Sequence, residues 1–203
     1  MKKNILIFGA GGHAKSCIDL VTTSTKFKIN YIFGLRKELG NKILSFKVNK
    51  CVDDIKNVKK KHQYAIIGIG QIKSSKKRIH YFDSIKKEGF ILPVIISVKS
   101  YVSQYSEIDE GTLIFNNAVI GPETKIGKNC IINNLSLVDH DVKIGNHVHV
   151  STGARINGGV IIESGSFIGS GAVIKEGVSI GKNCVIGAGL VIKKNLKDNS
   201  YIK

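Results

Sequence analysis

Residues 114–132 read IFNNAVIGPETKIGKNCII, in which an Ile returns at positions 114, 120, 126 and 132. Followed outward, the spacing of six holds from Val102 to Ile192: sixteen positions, every one Ile or Val, with no insertion. A period of six suits neither the 3.6-residue turn of an amphipathic helix nor the alternation of a hairpin strand. It joins a short strand to a turn. Four residues after the Ile or Val a small or compact side chain often stands, as at Ser106, Thr112, Ala118, Thr124, Cys130, Ser136, Ala154, Ser166, Ala172 and Cys184, and Gly often follows directly. Three such hexads close a triangular coil with Ile or Val inward and the small residue at the tight corner. Parallel stacking of coils then satisfies the backbone between them. Residues 97–203 are therefore expected to form a left-handed parallel β-helix of five coils, about 24 Å long at the usual strand spacing. Cys130 and Cys184 lie 54 residues apart, three whole coils, so they should share a corner and serve structure.

Residues 1–96 have another rhythm. The run KNILIF at 3–8 reads as a buried strand, followed by Gly9-Ala10-Gly11-Gly12-His13 and a helix to about Ser24. Further strands are expected at 28–33, 64–69 and 90–96, with helices over about 53–61 and 73–88. That alternation argues a Rossmann-like parallel α/β domain. The spacing Gly9-x-Gly11-x-x-Ala14 would let backbone approach a phosphate at a helix N-terminus. A ribose-binding carboxylate for a nicotinamide dinucleotide belongs about 20 residues on, where the chain reads Phe33-Gly34-Leu35-Arg36. With no acid there, nicotinamide redox chemistry is disfavoured. A nucleotide-bearing ligand on the same glycines stays open, as does a tight turn that binds nothing.

Composition narrows the classes. The chain of 203 residues carries a formal charge of +16, and 20 of its 31 basic residues against 6 of its 15 acidic ones fall in residues 1–96. A basic half could draw phosphorylated ligands by its field, but most of these residues are lysines without interleaved aromatics, so no nucleic-acid partner is expected. Apolar runs such as 4–8 and 64–69 fall far short of the roughly 20 residues that span a bilayer, and the basic start breaks at once into glycines. No membrane insertion and a cytoplasmic location follow as expectations. Four cysteines without CxxC spacing indicate neither a zinc knuckle nor a disulfide framework.

Of six histidines, His62 and His80 sit in lysine-rich stretches and are expected to be solvated. His140, His147 and His149 cluster in the solenoid, but separations of 7 and 2 fit a three-ligand zinc site poorly, so no metal is expected. The segment Val138-Asp139-His140-Asp141 has two readings. A histidine beside a carboxylate can be an aligned general base near neutral pH; equally, a polar turn can face water for solubility.

Three stretches carry a resemblance: GAGGHAK at 9–15, IGIG at 67–70 followed by Lys76-Lys77-Arg78, and NNLSLVDHDVKIGNHVHVSTGA at 133–154. Together, in this order along nearly the whole chain, they resemble the bacterial hexapeptide-repeat sugar acetyltransferases of the PglD/NeuD-like kind. Those enzymes act on UDP-linked 4-amino sugars, perosamine-type amino sugars and sialic acid. The resemblance implies acetyl transfer from acetyl-CoA, with His140 as the base and Asp141 raising its basicity. It implies that His149, Ser170 and Ala188 contact acetyl-CoA, and that Gly11, Gly12, His13 and Gly70 hold a nucleotide-sugar. It also implies a homotrimer with sites between subunits. The chain departs from the family pattern in two places: acidic residues are missing from Gly34-Leu35-Arg36, and Asn199-Ser200-Tyr201-Ile202-Lys203 replaces a Gly-x-Pro-Ala-Lys-like tail. N-acetylation of a nucleotide-linked amino sugar is the reading expected to hold, for surface polysaccharide or glycan synthesis. The alternatives are O-acetylation of sialic acid or a related sugar and, in another class, a non-catalytic trimeric scaffold.

Overall fold

The computed structural model describes residues 2–24, 26–59 and 61–203. They divide into two compact units, one holding the residues up to Gly70 together with Lys77–Ile95, the other Gln71–Lys76 together with Ile96–Lys203. Segment 71–76 thus packs with the second unit, although its chain neighbours on both sides belong to the first.

In the first unit, β1 (Lys3–Phe8) carries four successive buried residues, Ile5 to Phe8. Such a run suits a strand covered on both faces, as parallel sheets are. Helix α1 (Gly12–Thr23) buries Ala14, Cys17, Ile18 and Val21, the spacing of one helical stripe. Strands β2 (Phe27–Gly34), β3 (Lys42–Ile43), β4 (Phe46–Cys51) and β5 (Tyr64–Ile67) complete a sheet in the order β3-β4-β2-β1-β5. All pairings are parallel except the β3–β4 hairpin. Since β2 and β5 flank β1 on opposite sides, the carboxyl end of β1 is the switch point at which open α/β sheets form a crevice.

Three expectations need adjustment, and one hairpin was not foreseen. His62 is buried beside Asn30, its Nε2 3.3 Å from Asn30 Nδ2, and not solvated. Two elements differ from those expected. The hairpin at 42–51 carried no turn signature, because its corner is Leu44-Ser45, with Leu44 held at φ 53°. The helix expected over 53–61 is a 3₁₀ turn, Val52–Asp54, running into the short α2 (Ile55–Lys59). Residues 90–96 are not one strand: Ile91 makes a lone bridge to Tyr64, and Ile95–Ile96 is a separate two-residue strand. Pro93 stands between them without an N–H to continue a ladder. Helix α3 (Lys76–Lys87) lies within the expected 73–88.

The second unit is the parallel β-helix. Its two-residue strands stack into sheets of six, five and seven, and successive rungs pair residues 18 apart, as in Ile120 with Val138, Ile126 with Ile144 and Ile132 with Val150. The Ile and Val column fills a continuous interior. Corner residues at every sixth position from Gly111 to Gly189 adopt a left-handed φ. These are Gly or Asn except at Glu123, Leu135, Asp141 and His147, so the four costly corners gather in the middle coils. The tail adds a rung, with Tyr201–Ile202 pairing with Val185–Ile186.

Cys130 and Cys184 are wholly buried in one inward column with Thr112 and Ser166. The column also holds Val148, and its other four members each donate to a carbonyl of a later corner: Thr112 Oγ1 to Gly127 at 2.8 Å, Cys130 Sγ to Gly145 at 3.1 Å, Ser166 Oγ to Gly181 at 2.8 Å and Cys184 Sγ to Lys197 at 3.1 Å. The thiols therefore do what hydroxyls do at neighbouring levels. Cys184→Ser is expected to cost no more than about 1 kcal/mol in denaturant unfolding, since the acceptor is in place. Cys184→Leu should cost about 1–3 kcal/mol by overpacking. A serine variant as damaged as the leucine variant would show that the column does not work this way.

Candidate active site

A cavity of about 190 Å³ opens in the first unit at the carboxyl ends of β1, β2 and β5. Gly11, Gly12, His13 and Gly70 all line it, so the four residues expected to hold a nucleotide-sugar converge there. Gly9 turns the chain at φ +125°, and a Cβ on it would stand 2.8 Å from Ile69 Cγ1 and 2.9 Å from the Gly68 carbonyl carbon. Only glycine lets the two loops approach so closely. Behind them, the buried Arg78 donates from Nη1 to the carbonyls of Ile67 and Ile69, both at 2.8 Å, tying down the segment that leads to Gly70. The N–H groups of the first turn of α1 have no acceptor four residues back, a setting that favours an anion. Lys77 also lines this cavity.

A carboxylate from further along the chain does reach this cavity. A 3₁₀ turn, Arg36–Glu38, carries Glu38 back so that the Leu35 N–H donates to its Oε2 at 2.7 Å, and Glu38 lines the same cavity. Reading positions 33–36 alone overlooked it because a tight turn, not strand spacing, sets where the carboxylate arrives.

His140 and Asp141 sit on a corner of the solenoid, directly after the strand Leu137–Val138. His140 Nδ1–H donates to Asp141 Oδ2 at 2.8 Å, and the His140 backbone N–H donates to Asp139 Oδ1 at 2.8 Å. Asp141 is one of the costly corners, φ 58°, and non-glycine residues held in this region gather at functional sites. Its hydrogen bond is the main reason the His140 imidazole titrates above its ordinary value; the charge of Asp139 adds to this. With Nδ1 committed as donor, the neutral ring offers Nε2 as the base. Both side chains are more than half exposed. The ring lies against Gly158 of the next coil, where a Cβ would meet Cε1 at 2.6 Å and Nε2 at 2.7 Å.

The other two clustered histidines have separate partners. His147 Nδ1 meets the Asn129 amide at 2.9 Å. His149 is buried, its Nδ1–H donating to the Gln71 carbonyl at 2.6 Å and its ring set edge-on to Phe167 at 5.2 Å between centroids. Gln71 Nε2 in turn donates to the His147 carbonyl at 2.9 Å. Among the described residues no group of three or more His, Cys, Asp or Glu is placed to hold a metal ion. Ser170 and Ala188 lie together on a groove of about 290 Å³ that also includes Phe167, Tyr201 and Lys203. His149 does not line this groove itself; Phe167 stands between. Among the described residues no helix is long and apolar enough to cross a membrane.

Comparison with known proteins finds three family models along the chain. Residues 4–85 match the PglD N-terminal domain, 123–158 the bacterial transferase hexapeptide of six repeats, and 159–194 the hexapeptide repeat of succinyl-transferase. No curated protein sequence matches significantly. Among solved structures, WeeI from Acinetobacter baumannii is similar with TM-score 0.86 and 27% identity, covering 98% of this chain and 96% of that one. The acetyltransferase domain of PglB from Neisseria gonorrhoeae, in complex with acetyl coenzyme A, is similar with TM-score 0.91 and 25% identity over 99% and 96% of the two chains. A variant of perosamine N-acetyltransferase from Caulobacter crescentus, in complex with CoA and GDP-perosamine, has TM-score 0.90 and 24% identity over 98% and 92%, and at that identity speaks for the fold alone.

Proposed function

We propose that this chain, which belongs to the PglD/NeuD-like hexapeptide-repeat sugar acetyltransferases, transfers the acetyl group of acetyl-CoA to the amine of a nucleotide-linked amino sugar, with His140 as general base. It is an acetyl-CoA-dependent enzyme. The observation that carries the assignment of the base is the 2.8 Å bond from His140 Nδ1–H to Asp141 on a solvent-facing solenoid corner. The neutral amine attacks the thioester carbonyl while His140 Nε2 takes the amine proton. Collapse of the tetrahedral adduct breaks the carbon–sulfur bond and releases CoA, whose thiolate regains a proton. Asp141 holds the ring and favours the imidazolium that forms. No covalent acetyl-enzyme is needed, since holding amine and thioester together supplies much of the rate.

The acceptor's nucleotide is assigned to the first-unit cavity. Gly11, Gly12, His13 and Gly70 face its phosphates and ribose, and Glu38 offers an acceptor for hydroxyl or amine hydrogens. The groove of Ser170 and Ala188 is assigned to CoA. Tyr101, Val119, Leu137, Arg155, Val173 and Val191 form the outward row of the solenoid face next to the His140 corner, apolar except for Arg155. Of these, Tyr101, Val119 and Val191 are exposed large apolar side chains. Such a stripe supports a homotrimer with its sites between subunits.

The test follows CoA release from acetyl-CoA with UDP-, dTDP- and GDP-linked 4-amino sugars and with sialic acid, using wild type and His140→Ala. Turnover on one amino sugar, lost in the variant, is the expected result. Turnover on sialic acid alone would replace N-acetylation by O-acetylation. No turnover, with no acetyl-CoA bound by calorimetry, would leave a scaffold. Light scattering on the same preparation should give three times the 22.1 kDa chain mass; a single chain mass would remove the intersubunit site.

A further inference from the structure

In one column of the solenoid a half-buried Ser106 is followed by Thr124, Val142, Val160 and Val178, all four buried. Thr124 puts a hydroxyl where the next three coils keep a methyl. A buried hydroxyl requires a partner, and Thr124 Oγ1 donates to the carbonyl oxygen of Asp139 at 2.5 Å. The residue after Asp139 is His140. The same corner holds the turn a second time, since the Asp141 N–H donates to the Pro122 carbonyl at 3.1 Å. Residues 122–124 are thus the seat on which the Asp139-His140-Asp141 turn rests.

We propose that Thr124 is a positioning residue for His140, its hydroxyl pinning the Asp139 carbonyl and so fixing the turn in which the imidazole meets Asp141. The inference rests on the reading of His140 as the base. Thr124 does not touch the reacting atoms; it acts through one carbonyl and one peptide unit. Thr112 provides the comparison. It is equally buried and donates in the same way, to the Gly127 carbonyl at 2.8 Å, but at another corner of the coil. A hydroxyl that served only solenoid stability would behave alike at both positions.

The test compares Thr124→Val, Thr124→Ser, Thr112→Val and His140→Ala in the full chain. Valine keeps the shape and removes the donor; serine keeps the donor. Steady-state kinetics, thermal unfolding and an NMR titration of the His140 ring are read for each. Thr124→Val is expected to lower kcat by about tenfold with KM for acetyl-CoA unchanged, since small misplacements of a base are costly. Its His140 titration should move toward the ordinary 6.5 as the bond to Asp141 loosens. Thr124→Ser should recover kcat to within about twofold. Thr112→Val, which also strips the Cys130 N–H of its 2.9 Å acceptor, should lose at least as much stability as Thr124→Val and keep kcat. Wild-type kcat in Thr124→Val, or equal losses of kcat in both valine variants, would overturn the proposal while leaving His140 as the base. Full activity in His140→Ala would instead remove the base, and the proposal with it.

Discussion

His140→Ala is expected to lower kcat by about 10²–10⁴-fold, the usual worth of a positioned base, with acetyl-CoA affinity and thermal stability unchanged. The side chain is more than half exposed and fills no interior space, so its removal opens no cavity. The pH profile makes the expectation sharper. A base works unprotonated, and the hydrogen bond to Asp141, followed by the charge of Asp139, holds the ring protonated to higher pH than its ordinary 6.5. The acid limb of kcat/KM should therefore lie above 6.5, with activity rising as pH passes through the raised value. Asp141→Asn removes one charge and weakens the bond, so its acid limb should shift down toward 6.5 while the plateau rate falls. The sign for stability is opposite. A histidine whose pKa is raised on folding stabilises the protein below its unfolded pKa and ceases to do so as pH rises through the folded value; being exposed, His140 contributes little this way. An unshifted acid limb in Asp141→Asn, or retained turnover in His140→Ala, would contradict the assignment.

What was legible in the sequence follows from how local each feature is. The Ile and Val hexads are set by a covalent spacing that is itself the coil, so their inward column, the 18-residue rungs and the shared column of Cys130 and Cys184 could be read directly. The pair His140 and Asp141 is adjacent in the chain, and a left-handed corner at 141 is enough to turn the carboxylate onto the ring. Gly11, Gly12 and His13 lie in one turn. Gly70, far off in sequence, joins them because β5 runs parallel to β1 and ends at the same level. Other features depend on contacts that no spacing announces. Glu38 reaches its cavity through a 3₁₀ turn, and the 42–51 hairpin turns on Leu44, a residue that ordinarily avoids left-handed φ. His149 looked like its neighbours, yet it is buried against a carbonyl from residue 71, 78 positions away. Thr124 did leave a signal, one visible only when the chain is written in rows of 18: a column that changes from Ser106 and Thr124 to three valines at the row of the histidine turn.

Gly158→Ala should lower kcat by about 10²-fold through one added methyl, the order of loss that a misplacement of about 1 Å can bring. That methyl would stand 2.6 Å from His140 Cε1, 2.7 Å from Nε2 and 3.2 Å from Nδ1. Contacts that short are excluded, so the imidazole must leave its place over the glycine. Once it moves, the 2.8 Å bond to Asp141 lengthens or breaks, and the aligned tautomer goes with it. Backbone strain is not the cause, because Gly158 lies outside the left-handed region. Its neighbour separates the two effects. Gly159 has φ +67° and open space where a Cβ would go, so Gly159→Ala meets no atom but pays the left-handed penalty of about 1–2 kcal/mol. The two adjacent substitutions should therefore have opposite signatures: Gly158→Ala slow and stable, Gly159→Ala less stable with near-normal kcat below its melting range. The His140 ring resonances in an NMR titration would report the displacement directly, returning toward 6.5 in the first variant only. Equal kcat in the two variants would show that contact with Gly158 does not hold the base, and that the turn beneath His140 is sufficient to place it.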